Sequence, residues 1–250
     1  MILAEILAAK RKAVSHLRKI DPLKLLPAKG TFLNAIKNSD VAIIAELKSQ
    51  SPSEDIIDPH YDVRAIAEAY GKGGASALSV LTDTPFFGGS FDDIRQVKSV
   101  SNLPVLCKDF IIDPLQVYHA RAVGADACLL IVRCLNDQNL KRLFKTIESL
   151  EMDALVEVFD EHEAKRALDV GATLIGVNNR NLDTLELDTD NIKRLRKYIP
   201  NSVTLISLSG AKTPEDLHYY GTTYDGVLAG TALMKARDKV GFLQKATSKR

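Results

Sequence analysis

The chain carries almost no net charge: 33 Lys and Arg face 32 Asp and Glu, leaving +1 over 250 residues. A protein that grips the nucleic-acid backbone needs a basic surface, so no nucleic-acid partner is expected. No run of 18 apolar residues occurs, which excludes a helical membrane span. Cysteine is scarce and odd in number. Cys107, Cys128 and Cys134 sit in or near apolar runs and read as buried free thiols of a reducing, cytoplasmic setting, not as a disulfide framework. At the start, Glu5 precedes the basic residues that begin at Lys10, the reverse of a secretory signal. Metal-ligand spacing is missing too. His16, His60, His119, His162 and His218 are scattered, without H-x-x-x-H or C-x-x-C, so no metal is expected. There is no G-x-S-x-G nucleophile elbow. Gly71-Lys-Gly-Gly follows a helical pattern, whereas a dinucleotide-binding loop follows a strand. No Pro/Gly/Ser-rich linker or low-complexity stretch divides the sequence, and its 46% hydrophobic and 26% charged content is globular. Residues 1–250 therefore read as one domain.

What is present is a recurring pair, a short β-rich apolar run followed by a longer amphipathic one. Eight apolar runs stand out: Val41–Lys48, Ala77–Thr82, Pro104–Asp109, Ala127–Arg133, Ala154–Phe159, Thr173–Asn178, Val203–Ser207 and Gly226–Ala229. They are continuous rather than alternating, as strands buried on both faces of a parallel sheet should be. Helical patterns lie between them, at Tyr61–Tyr70 closed by Gly71, from Asp113-Pro114 to before Gly124, at Asp160–Val170, and from Thr213-Pro214. Aspartate or threonine before proline supplies an N-cap and a first-turn residue. Eight βα units in about 250 residues predict an α/β fold, a (β/α)8 TIM barrel. An open doubly wound sheet is the alternative, and it rarely needs eight evenly weighted strands. The segment 1–40 is extra. Ile2–Lys19 repeats apolar residues at 3, 6/7, 14 and 17, which predicts an amphipathic helix lidding one barrel end.

Such barrels work at the C-terminal ends of their strands. The polar residues there are Glu46, Lys48, Thr82, Asp83, Lys108, Asp109, Arg133, Glu157, Asn178, Arg180, Ser207, Ser209, Gly230 and Thr231. Residues i and i+2 share a strand face, so Glu46 and Lys48 point the same way, as do Asn178 and Arg180. Charges inside apolar runs are costly unless paired or functional. Glu46–Lys48 and Lys108–Glu157 could be plain ion pairs, but two lysines and two glutamates converging on one rim perturb each other and mark a site. Ser209-Gly210 and Gly230-Thr231, in the seventh and eighth units, suit phosphate: free N–H groups at a helix start favour an anion. Phe86-Phe87 reads either as a core plug or as an apolar wall for an aromatic ligand.

The residues resemble the indole-3-glycerol-phosphate synthase family along nearly the whole chain. The resemblance lies in Ile44-Ala-Glu-Leu-Lys with Ser51-Pro-Ser, and in Leu78-Ser-Val-Leu-Thr-Asp with Phe87-x-Gly-Ser. It continues through Pro104-Val-Leu-Cys-Lys-Asp-Phe-Ile-Ile-Asp-Pro, Asp126-Ala-Cys-Leu-Leu-Ile, Leu155-Val-Glu-Val and Ile175-Gly-Val-Asn-Asn-Arg-Asn-Leu. It implies a phosphorylated, anthranilate-derived substrate, 1-(2-carboxyphenylamino)-1-deoxyribulose 5-phosphate, and a ring closure that releases CO2 and water without a cofactor. It implies Lys108 as general acid, with Glu157, Glu46 and Lys48 as the other acid–base groups. Asn178 and Arg180 would hold hydroxyls and carboxylate, and Ser209, Gly210, Gly230 and Thr231 would cradle the phosphate. Ser51, Leu208, Phe87 and Phe110 complete the expected substrate-binding set. A monomer is the expected state.

Three positions depart from the family pattern. Its strand-seven end typically reads Ser-Glu-Ser-Gly, but here it is Ser207-Leu-Ser-Gly, so Leu208 replaces a carboxylate. Glu54-Asp55 stands where a basic residue and glycine are usual, and Ser49-Gln50 follows Lys48 where more positive charge is common. Two other readings follow. One is a synthase-derived barrel, natural or engineered, that only binds a phosphorylated or aromatic ligand. The other is an aldolase-type barrel in which Lys108 forms a Schiff base.

Overall fold

The computed structural model describes residues 2–52, 57, 58 and 60–248. Eight strands form a closed, all-parallel barrel in chain order, each bonded to its neighbours and the eighth to the first. They are β1 Ile43–Leu47, β2 Ala77–Leu81, β3 Val105–Lys108, β4 Ala127–Ile131, β5 Asp153–Val158, β6 Leu174–Asn178, β7 Thr204–Leu208 and β8 Gly226–Ala229. The fold is therefore a (β/α)8 barrel, and every strand overlaps the run expected for it. Each strand presents alternate residues to two cores. Ala42, Ile44, Leu106, Leu129, Leu155, Ile206 and Leu228 fill the interior. Ile43, Ala45, Val80, Cys107, Val156, Val177 and Val227 meet the surrounding helices. That double burial is why the runs are continuous in apolar residues.

Helix ends follow local chemistry. Asp113 and Thr213 form capping boxes with Gln116 and Asp216, each with proline in the first turn. The Asp160 side chain accepts from the Glu163 amide. Such caps contribute about 1 kcal/mol each. The helix expected at Tyr61–Tyr70 is Val63–Gly73 instead. Asp62 caps its start, and Gly74, at φ 92°, ends it in place of Gly71.

The N-terminal extension departs most from expectation. Helix α1 spans Ile2–Ser15, not Ile2–Lys19, and its Leu3 and Ile6 are buried over the C-terminal end of the barrel. The chain then descends past the helix Pro114–Ala122. There Arg121 Nε donates to the Leu26 carbonyl (2.8 Å), and a ring nitrogen of His119 lies 2.8 Å from the Arg18 carbonyl. Helix α2 (Thr31–Lys37) closes the opposite end by burying Phe32 and Ile36 in the interior cluster. The Leu33 amide donates to Asp153 at the start of β5 (2.9 Å). The extension thus caps both ends. Among the described residues, no helix is long and apolar enough to cross a membrane.

Candidate active site

A cavity of about 670 Å³ opens at the C-terminal end of the barrel. It gathers Glu46, Lys48, Ser51, Phe87, Lys108, Phe110, Glu157, Arg180, Ser209, Gly210, Gly230 and Thr231 in its wall. Twelve of the fourteen residues expected at a site are thereby brought together, from seven strand ends and the loops that follow. Asn178 and Leu208, register partners on β6 and β7, are buried at its edge. The loop positions Glu54 and Asp55 lie outside the described residues.

Strand alternation explains the charged centre. Glu46, Lys108 and Glu157 each follow an inward-facing residue by two: Ile44, Leu106 and Leu155. Lys48 Nζ lies 3.1 Å from Glu46, and Lys108 Nζ lies 3.8 Å from the same carboxylate. Glu46 is therefore a carboxylate held between two ammonium groups. Burial acts to raise its pKa, but Lys48 and Lys108 together outweigh burial and bring it below the ordinary glutamate value. Glu157 differs. Burial raises its pKa, and neither the charge of Lys108 nor a 2.9 Å hydrogen bond from Asn178 Nδ2 cancels that effect. The pairings are thus not quite the two ion pairs suggested by the sequence: Lys108 reaches Glu46, and Asn178 donates to Glu157. Two buried carboxyls with opposite shifts on either side of one lysine can divide proton donation and acceptance.

The remaining wall is shaped by backbone. Ser209 (φ 64°) and Gly210 (φ 106°) are consecutive positive-φ residues after β7, and both stand in the cavity wall. A Cβ at Gly230, where the helix Thr231–Lys235 opens, would collide with the Glu46 carboxylate and push it from its place. The Phe87 and Phe110 rings, 6.2 Å apart between centroids, both stand in the cavity wall, and Phe87, like Phe86, also packs against the interior apolar cluster. Leu208 belongs to the apolar interior. It packs over Gly176, where a Cβ would come within 2.6 Å of Leu208 Cδ1.

Sequence reasoning missed Lys10. It projects from α1 into the rim and lies 2.6 Å from both Asp83 and Asp109, all three buried. Asp109 also accepts from Thr82 Oγ1 (2.9 Å), and Asp83 accepts from the Phe86 amide (3.0 Å). The signal was available. Lys10 occupies the gap in the apolar stripe at 3, 6, 14 and 17, so it had to face inward. Lys212 and Lys235, also in the cavity wall, were likewise not singled out.

A closed eight-stranded parallel barrel with a charged cavity at the C-terminal ends of its strands is the architecture of the (β/α)8 barrel enzymes. The family model described as indole-3-glycerol phosphate synthase matches residues 3–245. The synthase of Thermoanaerobacter sp. (strain X514) is 40% identical over 247 residues, covering 96% of this chain and 95% of that one. The synthase of Rippkaea orientalis is 44% identical over 253 residues, with 95% and 86% covered. The synthase of Acetivibrio thermocellus is 46% identical over 208 residues, with 82% and 80% covered. Solved structures share the fold alone. 3-Hexulose-6-phosphate synthase from Salmonella typhimurium has TM-score 0.65 at 15% identity, covering 82% of this chain and 96% of that one. N-Acetylmannosamine-6-phosphate 2-epimerase from Clostridium perfringens has TM-score 0.61 at 17% identity, with 80% and 89% covered. The chain belongs to the indole-3-glycerol phosphate synthase family.

Proposed function

We propose that the protein closes the indole ring of 1-(2-carboxyphenylamino)-1-deoxyribulose 5-phosphate, releasing CO2 and water as a carboxy-lyase. The convergence of Glu46, Lys48, Lys108 and Glu157 in one cavity wall, in a chain of this family, carries this reading. The ring carbon that bears the carboxylate attacks the ribulose C2 carbonyl, and Lys108 delivers a proton to the oxygen that becomes a hydroxyl. The carboxylate leaves as CO2, and its bonding electrons restore the aromatic ring. Loss of the new hydroxyl as water, with a proton from the adjacent carbon, completes the pyrrole ring. Glu157, Glu46 and Lys48 serve these later transfers. Arg180 faces the substrate carboxylate, Asn178 orients Glu157 and the substrate hydroxyls, and the Ser209–Gly210 and Gly230–Thr231 backbone receives the phosphate. Phe87, Phe110, Ser51 and α1 screen the reacting atoms from water.

Leu208 removes one carboxylate from the family pattern without emptying the site. A lysine paired with a carboxylate is the setting of a charged proton donor, which favours the acid role of Lys108 over a Schiff base. Free cysteines at 107, 128 and 134 support a reducing, cytoplasmic setting, and we read the protein as a monomer.

The test adds the carboxyphenylamino-deoxyribulose phosphate to purified protein and follows indole fluorescence, with Leu208→Glu beside it. The unsubstituted protein should turn over, and Leu208→Glu should raise kcat about a hundred-fold, the low end of what one acid–base group supplies. Activity only in Leu208→Glu would mean a site disabled at one position. Silence from both would retire the synthase reading.

A further inference from the structure

Arg133 lies outside the cavity wall, immediately beyond β4, yet it has an unusually full set of partners. Its Nε donates to Glu163 (2.8 Å) on the helix Glu161–Asp169. One terminal nitrogen donates to Asn181 Oδ1 (3.3 Å) and Asp183 (3.2 Å), in the loop after β6. The other lies 3.8 Å from Asp160, and the guanidinium plane covers Phe159 at 4.8 Å from the ring centre. Glu163 is itself fixed, since its second oxygen accepts from the Phe159 amide (2.8 Å). The same Asn181 oxygen accepts from the Asp183 amide (2.8 Å) and the Thr184 amide (3.3 Å), which makes residues 181–184 a closed turn. The Leu185 amide then donates to the Asn181 carbonyl (2.9 Å). Finally, the Arg180 guanidinium donates to the Leu185 carbonyl (2.8 Å).

We propose that Arg133 is a positioning residue for Arg180: it anchors the turn whose Leu185 carbonyl holds the Arg180 guanidinium at the cavity wall. The proposal rests on the synthase reading of the cavity. Three carboxylates, Asp160, Glu163 and Asp183, converge on this one guanidinium, two from the β5 side and one from the β6 loop. Removing the cation leaves like charges facing each other across the gap between loop and helix, so the turn loses both its anchor and its neutralising charge. Leu182, Leu185 and Leu187 of the same loop line the cavity, so a displaced turn moves the wall together with Arg180. Lysine cannot replace the fork, because a point charge cannot serve Glu163 and Asn181 in one plane.

The variants Arg133→Ala, Arg133→Lys, Asp183→Asn and Arg180→Ala decide this, with the double variant Arg133→Ala/Arg180→Ala. Asp183→Asn removes only the loop carboxylate of the cluster, at a partly exposed residue, and keeps Arg133 on Glu163 and Asn181. Arg133→Ala should raise KM about ten-fold with kcat within about three-fold, a coupling typical of residues in one network. Arg133→Lys and Asp183→Asn should fall between it and the unsubstituted protein. The double variant should be no worse than Arg180→Ala. Additive losses, or a fall in kcat at constant KM, would overturn the proposal. Amide hydrogen exchange supplies an arm independent of turnover. The Asp183, Thr184 and Leu185 amides should exchange faster in Arg133→Ala and Asp183→Asn while those of β4 stay unchanged, and unchanged exchange in the loop would also overturn it. If the unsubstituted protein shows no turnover, the synthase reading fails, and the exchange arm still decides whether Arg133 anchors the turn.

Discussion

Two clusters of lysine and carboxylate occupy the same rim of the barrel and differ in what surrounds them. In one, Glu46, Lys48, Lys108 and Glu157 stand in the wall of a cavity large enough for a phosphorylated aromatic substrate. In the other, Lys10 from α1 is held between Asp83 and Asp109, and of these three only Asp109 touches the cavity. The stoichiometry is inverted as well. Glu46 is a carboxylate between two lysines, whereas Lys10 is a lysine between two carboxylates. In the open cluster the Lys48 and Lys108 side chains keep 13% and 20% of their surface exposed at the cavity, which suits proton transfer. In the closed one each member is satisfied by protein: Thr82 and the Phe110 amide complete Asp109, and the Phe86 amide completes Asp83. Residue type alone does not tell a site from a clamp; access to space does.

The sharpest way to break this comparison is to remove the central lysine of each. Lys108→Ala should abolish turnover, a loss of at least about a thousand-fold for a positioned acid, while the melting temperature changes little. Near-normal turnover would remove Lys108 from the mechanism. Lys10→Met should do the reverse in emphasis. Taking one partner from a buried ion cluster typically costs about 3–5 kcal/mol, which for a chain of this size lowers the melting temperature by roughly 10 °C. Its catalytic loss should be much smaller than that of Lys108→Ala, because Lys10 acts only by holding the strand ends and α1 together. Thermal denaturation and turnover measured on both variants check the pair. Equal thermal losses would erase the distinction between site and clamp.

The same contrast explains what was readable in the sequence. Glu46 and Glu157 were legible because a charge inside a short apolar run has few explanations, and because strand ends converge in a closed barrel. The barrel itself was legible from eight runs too continuous to be half-exposed strands. Lys10 was not recognised, because a single lysine on an amphipathic helix is usually solvated. Its place in the gap of the apolar stripe at 3, 6, 14 and 17 gave its face, but not the carboxylates it meets, which depend on where α1 docks. The closing of both barrel ends was hidden for a similar reason. Phe32 and Ile36 lie on a seven-residue helix too short for a periodicity signal, and their role depends on the path taken by residues 16–30. Arg133 stood among the polar strand-end residues, but its partners lie 27 to 50 positions onward, and spacing cannot reveal such contacts.

A finer test uses pH. The pKa of Glu46 in the folded protein lies below its ordinary value of 4.5, so the folded state holds its proton less tightly than the unfolded chain does. The stability this supplies is present above 4.5 and is lost as pH falls through the lower, folded value. Asp109 runs the other way. Burial raises its pKa above the ordinary 3.8, despite Lys10 and Thr82, and Asp83 adds to the rise. Its titration therefore contributes stability that is present below 3.8 and is lost as pH rises through the folded value. Glu46→Gln and Asp109→Asn, unfolded in denaturant across the acid range, should give stability differences from the parent with opposite slopes. The parent's advantage over Glu46→Gln should grow with rising pH, and its advantage over Asp109→Asn should shrink. Slopes of the same sign would mean that the two clusters do not differ in the balance of lysine to carboxylate that separates them in the structure.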